Sequence, residues 1–126
     1  MGDIMAAGSG GWEVELFDLG DGETALDELA KELTRKQLAQ VTKQLGRLQQ
    51  NGRGLGASYF GKLEGSTKKL WEFRLSVADR CEVRFIFVQM AQTFYMLKGF
   101  KHQDDDDVRR HIPTAERRLG EWGIQP

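Results

Sequence analysis

The sequence has little of what disulfide-rich, zinc-binding or membrane proteins need. It contains one cysteine, Cys81, and two histidines, which excludes an internal disulfide framework and leaves no Cys/His cluster with zinc-site spacing. No apolar run is longer than the four residues Phe85–Val88, whereas a membrane-spanning helix needs roughly 20. No signal-peptide pattern is visible at the start of the chain. We therefore expect a cytoplasmic protein in which Cys81 is an inert packing residue.

The length of 126 residues allows one domain with one modest hydrophobic core. The first eleven residues are rich in Gly, Ala and Ser. They predict a flexible leader over 1–11, followed by a single domain over 12–126.

Charge is distributed unevenly along a chain whose net charge is only −1. Residues 1–33 hold nine acidic and one basic residue, and residues 34–101 hold thirteen basic and four acidic residues. Residues 102–126 hold four basic and six acidic residues. The overall charge argues against a nucleic-acid partner, but the basic middle can present one positive face. The competing interpretation is that the basic helix faces are simply solvated.

Two short helices are predicted after a first strand over 12–16, where apolar and polar residues alternate. Thr24 is a candidate N-cap. Apolar residues then recur at the spacing of one helix face, at Leu26, Leu29, Ala30 and Leu33. Thr34 and Gln37 have the form of a capping box, which predicts a second helix over 35–50.

From Leu70 onwards the apolar period changes to two, which predicts strands. The expected elements are a strand starting near residue 70, a strand over 81–89, a strand over 93–100 and a final helix over 107–122 with Pro113 near its start. The predicted order is therefore β-α-α-β-β-β-α. This is an α+β fold with a small antiparallel sheet and helices packed on one face.

Several segments resemble the RelE/ParE toxin superfamily, most closely its phage-derived, HigB-like branch. The matching segments are 62–65, 70–74, 82–87 and 96–100, followed by Ile112 and 115–119. In that branch an aromatic-Glu-Leu-Arg strand precedes an Arg-containing strand and a strand that ends in Gly-Phe. Each segment alone is weakly specific, and the ordered series over residues 60–120 is moderately specific.

The resemblance implies a RelE-like toxin of a type II toxin–antitoxin system. Such a toxin cleaves messenger RNA without a metal or other cofactor, on the ribosome or free of it. A cognate helix-turn-helix antitoxin neutralises it, so the expected state is a monomer or a toxin–antitoxin hetero-oligomer with no membrane partner. Two alternatives stay open: a toxin of the same fold that inhibits DNA gyrase, and an inactive phage-derived toxin-like protein.

RNA cleavage needs cations for the phosphate and groups that transfer protons. Arginine suits the first task because its planar fork grips two oxygens and stays charged. Arg74 and Arg84 match the family's basic positions, and the competing interpretation pairs them with Glu72 or Glu82 on the surface. Glu72 is also a candidate general base, although neighbouring arginines would weaken it by lowering its pKa.

Lys101 and His102 match the family's basic residues after the Gly-Phe strand. Imidazole titrates near pH ~6.5, so His102 is the candidate proton shuttle, or else a solvated loop histidine. Further lysines are expected to contact RNA, namely Lys62, Lys68, Lys69 and Lys98. His111 matches a position that sends a side chain to the site in relatives, and a structural role is favoured for it here.

The run Asp104–Asp107 departs from the family pattern, which is basic and then Thr/Pro-rich there. Four carboxylates would repel RNA at short range, although salt screens them beyond about 8 Å. The run is a loop tip, a favourable charge at a helix N-terminus, or a mark of altered function. A divalent-metal site is the remaining alternative. Trp122 is expected to pack back on the sheet or to bind the antitoxin.

Overall fold

The structure is a computed structural model that describes residues 3–4, 11–64 and 68–126. These residues form eight strands: β1 Asp3–Ile4, β2 Glu13–Leu16, β3 Asp18–Gly20, β4 Glu23–Thr24, β5 Phe60–Lys62, β6 Trp71–Val77, β7 Cys81–Met90 and β8 Thr93–His102. They also form three α-helices: α1 Ala25–Ala30, α2 Arg35–Asn51 and α3 Asp107–Trp122. Two 3-10 turns, Gly52–Leu55 and Ala57–Tyr59, connect α2 to β5.

The main sheet has six strands in the order β1-β2-β8-β7-β6-β5. Strands β6 to β8 form an antiparallel meander, as the period-two pattern predicts, and β5 adds an antiparallel strand beside β6. The expectation of a purely antiparallel sheet is wrong, because β2 pairs in parallel with Thr93–Met96 of β8. A parallel neighbour requires a long crossover, and here α1, α2 and the meander supply it. The α+β class is confirmed as a mixed sheet with helices.

Helices cover both faces of this sheet, so the expectation that all of them lie on one face is wrong. The larger core cluster joins α1 and α2 to one face, through residues that include Leu29, Val41, Phe73 and Phe85. The smaller cluster joins α3 to the other face, through Ile86, Leu97, Phe100 and Leu119. The reason is that β7 and β8 carry apolar side chains on both faces, and both faces must be removed from water.

The predicted N-cap at Thr24 and the predicted capping box at Thr34 are both present. Thr24 caps α1 together with Asp27, and Thr34 exchanges hydrogen bonds with Gln37, with the Gln37 N–H donating to Thr34 Oγ1 at 3.1 Å. Helix α1 is shorter than predicted and ends at Ala30. Pro113 lies inside α3 and removes one backbone hydrogen-bond donor. The helix nevertheless has the predicted bounds, Asp107–Trp122.

The predicted leader and the short strands differ from expectation. Within 1–11, Asp3 and Ile4 form β1 against β2, and residues 1, 2 and 5–10 lie outside the described residues. Strand β5 and the β3–β4 hairpin were not predicted, because elements of two or three residues carry too little alternation. Within the described ranges, none of the helices is long and apolar enough to cross a membrane.

Candidate nucleic-acid site

Arg74 and Arg84 lie directly opposite each other on adjacent strands. Arg74 of β6 pairs in register with Arg84 of β7, and Arg84 pairs in turn with Phe100 of β8. Directly opposed residues of antiparallel strands share one face, with Cβ atoms about 4.5–5.5 Å apart. The register therefore brings together on one face the two arginines that match the family's basic positions.

Two carboxylates hold this pair of arginines. The Arg74 Nε–H donates to Glu72 Oε1 at 2.7 Å, while Arg84 Nε lies 3.6 Å from the same oxygen. Arg84 Nη2 contacts Glu82 Oε2 at 3.4 Å. The Arg84 side chain is only 12% exposed, and its buried Nε has no hydrogen-bond partner among the described residues. Arg84 is therefore a mostly buried guanidinium whose two ion-pair contacts are long.

Gly61 of β5 lets the guanidinium of Arg74 lie against the backbone. Gly61 is paired with Glu72, and a Cβ placed on Gly61 would lie 2.2 Å from Arg74 Nη2 and 2.8 Å from Arg74 Cζ. Any larger residue would have to displace the end of this flexible side chain. The position of Arg74 thus depends on a glycine that the sequence analysis did not single out.

The arginines line an open groove of about 350 Å³ at the edge of β6, beyond the end of β5. Ser58, Tyr59 and Gln44 complete the groove together with Ser76 and Glu82. Tyr59 is stacked on Phe73 with ring centroids 6.1 Å apart. Sequence reasoning missed Tyr59 because it precedes a strand that was itself not predicted.

His102 lies on the same face as the arginines and is held by Asp107. His102 pairs in register with Glu82, one row along the strands from Arg84. Its Nδ1 lies 2.8 Å from Asp107 Oδ1. The carboxylate of Asp107 is buried and also accepts hydrogen bonds from the backbone N–H groups of Gln103 and Asp104. Burial raises the pKa of Asp107, but these hydrogen bonds outweigh it and the pKa lies below its ordinary value.

The four aspartates therefore have separate surroundings. Asp107 is buried as the first residue of α3, and Asp104 forms a two-oxygen contact with Arg110 at 3.0 and 3.2 Å. Asp105 and Asp106 are exposed. No group of three or more His, Cys, Asp or Glu side chains suited to a metal occurs among residues 11–64 and 68–126. Part of the acidic run thus orders the start of α3.

Two of the predicted basic residues do not join the arginines. Lys101 pairs with Val83, whose side chain belongs to the α1–α2 face, so Lys101 lies on the opposite face from His102. Lys98 is on the arginine face, but its Nζ lies 3.0 Å from Glu28 Oε1 and its side chain is 13% exposed. The expectation that Lys101 acts beside His102 is therefore wrong for this geometry, because consecutive strand residues point to opposite faces.

The remaining predicted lysines lie around the β5–β6 connection. Lys62 pairs with Trp71 and is exposed on the α1–α2 side. Lys68 and Lys69 are exposed after the undescribed residues 65–67, and Lys68 lines a different groove, beside Ile124 at the C-terminus. None of these lysines lines the arginine groove.

His111, Trp122 and Cys81 are packed against other side chains. His111 stacks on Phe100 with ring centroids 4.2 Å apart, and burial followed by the charge of Lys98 lowers the pKa of His111. Trp122 packs edge-on against Phe17, with ring centroids 5.4 Å apart, and against Tyr95. Cys81 is buried in the core.

Fold and site together define a small α+β protein with an arginine-lined groove at one edge of a mixed sheet. The chain belongs to the family described as Phage derived protein Gp49-like (DUF891), whose sequence profile matches residues 27–120. This match includes every side chain of the groove and of the His102–Asp107 pair. No curated protein and no solved structure matches the chain.

Proposed function

We propose that this protein is a toxin of a type II toxin–antitoxin system that cleaves messenger RNA without a metal ion. The observation that carries the proposal is the in-register pair of Arg74 and Arg84 in one groove. Membership of a phage-derived family and the resemblance to RelE-type toxins support it. Neutralisation by a helix-turn-helix antitoxin rests on the resemblance alone.

The arginine pair suits a phosphate better than it suits the fold. Like charges placed directly opposite on adjacent strands destabilise a sheet. Arg84 is also short of close partners, since its two carboxylate contacts are 3.6 and 3.4 Å long. A phosphate diester offers oxygens that two guanidinium groups can grip at once. The arginine pair therefore lowers the stability of the sheet, and a bound anion would supply the close partners that Arg84 lacks. Such an arrangement is typical of a functional site.

Two proton-transfer groups flank the arginine row on opposite sides. Along the strands, Glu72 lies two residues before Arg74, and the row that contains His102 lies two residues beyond it. Each step of two residues is about 7 Å. In an in-line displacement the attacking and leaving oxygens lie on opposite sides of phosphorus, and we assign Glu72 to the attacking oxygen and His102 of β8 to the leaving oxygen.

In the proposed reaction Glu72 takes the proton of the 2′-hydroxyl as this oxygen attacks the adjacent phosphorus. The bond between phosphorus and the 5′-oxygen breaks, and protonated His102 gives its proton to that oxygen. The products are a 2′,3′-cyclic phosphate and a 5′-hydroxyl. Asp107 stabilises the charged imidazole and fixes its orientation, while the arginines stabilise the charge on the phosphorane.

Tightly controlled expression in a bacterial host tests the proposal. We expect growth arrest together with transcript cleavage that primer extension can map, and we expect Arg84→Ala to relieve both. Arg117→Ala is the control, because Arg117 is exposed on α3 and its ion pair is with the exposed Glu121. Intact transcripts in arrested cells would contradict the nuclease, and inhibition of purified gyrase in a supercoiling assay would favour the alternative target.

A further inference from the structure

The outward face of α2 carries positive charge only. The helix Arg35–Asn51 contains four basic residues and no acidic residue. Lys36, Lys43 and Arg47 are exposed and are spaced so that they share one face of the helix. This face extends over about 16 Å at 1.5 Å per residue. A solvated helix surface usually mixes both signs, so the absence of acidic residues on α2 is informative.

This basic face opens onto the arginine groove. A second groove, of about 420 Å³, runs between α2 and the end of β6, and its lining includes Lys43, Gln44 and Arg47. Gln44 and Ser76 line both grooves, which makes the two adjacent. The lining of the second groove consists of amide, basic, hydroxyl and small apolar groups, with no carboxylate among its described residues.

Helix α2 is fixed relative to the arginines by its own glutamines. Gln37 Nε2 donates to the carbonyl oxygen of Ala78 at 3.0 Å, and the Ala78 N–H donates to Gln40 Oε1 at 2.6 Å. Ala78 directly follows β6, the strand that carries Arg74. The basic face therefore keeps a constant distance from the proposed scissile phosphate.

We propose that the basic face of α2 binds the backbone of single-stranded RNA on one side of the cleavage site. This inference rests on the proposed function and adds a second, separate contact with the substrate. Cations and amides bind phosphate and sugar without reading the bases, so this contact should increase affinity without selecting a sequence. It should also depend on RNA length, because a dinucleotide has a single phosphodiester, and when this lies in the arginine groove none is left for Lys43 and Arg47.

The test measures binding of the purified full chain to 2′-O-methyl RNA, which has no free 2′-hydroxyl and is not cleaved. The double variant Lys43→Glu/Arg47→Glu is compared with Arg109→Glu/Arg117→Glu, which changes the net charge equally with exposed arginines of α3. Fluorescence anisotropy is recorded with a dodecamer and with a dinucleotide over a range of salt concentrations.

We expect Lys43→Glu/Arg47→Glu to weaken dodecamer binding about tenfold or more and to reduce the salt slope by about 1.4, with dinucleotide binding unchanged. The α3 control should change dodecamer affinity far less. If the two double variants weaken dodecamer binding equally, or if binding does not depend on RNA length, the inference is overturned. An acidic protein would then be the better candidate partner for the basic face of α2. If the protein binds RNA in a length-dependent way but cleaves none, this inference stands and the proposed nuclease activity is refuted.

Discussion

Two clusters in this molecule each place two cations around one shared carboxylate, and they differ in how completely the hydrogen bonds of the cations are satisfied. Glu28 of α1 accepts two hydrogen bonds from Arg118 of α3, at 3.0 and 2.7 Å, and lies 3.0 Å from Lys98 Nζ. Arg118 is 6% exposed and also donates to the carbonyl oxygen of Leu97. Glu72 instead has one short contact, with Arg74, and leaves Arg84 with long ones.

The difference separates a structural cluster from a binding site. The closed cluster joins three elements that are far apart in sequence, and Arg118 uses both terminal nitrogens in short hydrogen bonds. The open cluster joins neighbouring strands and lines a groove. Composition alone does not distinguish the two clusters. The number of short hydrogen bonds and access to a groove do.

The largest effect on stability is expected from Glu28→Gln. The substitution leaves Lys98 and Arg118 without their shared anion in a mostly buried position, and removing one partner of a buried pair costs about 3 kcal/mol. Urea denaturation measures the change in the free energy of unfolding. Glu121→Gln is the matched control, since the exposed Arg117–Glu121 pair should contribute less than about 0.5 kcal/mol. A loss below about 1 kcal/mol for Glu28→Gln would contradict the assignment of a closed cluster.

The next effect concerns the orientation of His102. Asp107→Asn removes the anion and turns an amide N–H towards Nδ1 of His102, because the backbone N–H groups keep the carbonyl oxygen. We expect RNA cleavage to fall about hundredfold. Nitrogen NMR of the imidazole, which reports the tautomer, should show Nδ1 changing from donor to acceptor. An unchanged tautomer would contradict the positioning role even if activity fell.

The same carboxylate predicts how stability depends on pH. Because the folded-state pKa of Asp107 lies below its ordinary value of 3.8, its contribution is complete above pH 3.8 and is lost as the pH falls through the lower folded value. The wild-type protein should therefore lose stability in acid more steeply than Asp107→Asn. Urea midpoints between neutral pH and pH 3 measure the difference, and parallel curves would contradict it.

A smaller effect is expected from Gly61→Ala. The new methyl group would displace the guanidinium of Arg74 while keeping its charge, so cleavage should fall about tenfold, or 1.4 kcal/mol in the barrier. Gly46→Ala is the control, because a Cβ there meets no atom within 4 Å and α2 should gain about 0.5–1 kcal/mol of stability. Cleavage by Gly61→Ala at the wild-type rate would show that the position of Arg74 is unimportant.

The smallest effect on stability is expected from Glu72→Gln. The Glu72 side chain is only 10% exposed, but Arg74 is 41% exposed and Arg84 keeps its contact with Glu82, so the loss of Glu72 should cost less than the about 3 kcal/mol expected for Glu28→Gln. RNA should bind the variant more tightly, since the arginines lose an intramolecular competitor, while cleavage slows. Equal destabilisation by Glu72→Gln and Glu28→Gln would remove the distinction between the two clusters.

The sequence predicted the elements with strong periodicity and missed the contacts between distant segments. The N-cap at Thr24, the capping box at Thr34 and the meander from β6 to β8 are local patterns, so residue type and spacing were enough to predict them. The pairing of β2 with β8 joins Val14 to Phe94, and no local pattern encodes such a contact. Helix α3 covers the second face of the sheet because strands carry apolar residues on both faces. This pattern is present in the sequence, but the prediction of helices on one face did not use it.

The candidate site likewise contains residues that local patterns could predict and residues whose roles depend on distant contacts. The family resemblance predicted Arg74 and Arg84 as site residues, and strand parity should have separated Lys101 from His102. The role of Lys98 was not predictable, because its partner Glu28 lies 70 positions earlier in the chain. The run Asp104–Asp107 looked uniform in sequence. Only the packing of α3 shows that Asp107 is buried against His102 while Asp105 is exposed.

The most direct test of the central claim is single-turnover cleavage of a defined RNA in the presence of EDTA by the wild-type protein and Arg84→Met, with unfolding measured on the same samples. The account predicts cleavage to a 2′,3′-cyclic phosphate by the wild-type protein and a loss of about 10²–10³-fold in Arg84→Met, whose aliphatic side chain keeps the packing. No cleavage by the folded wild-type protein, or equal cleavage by both proteins, would contradict it.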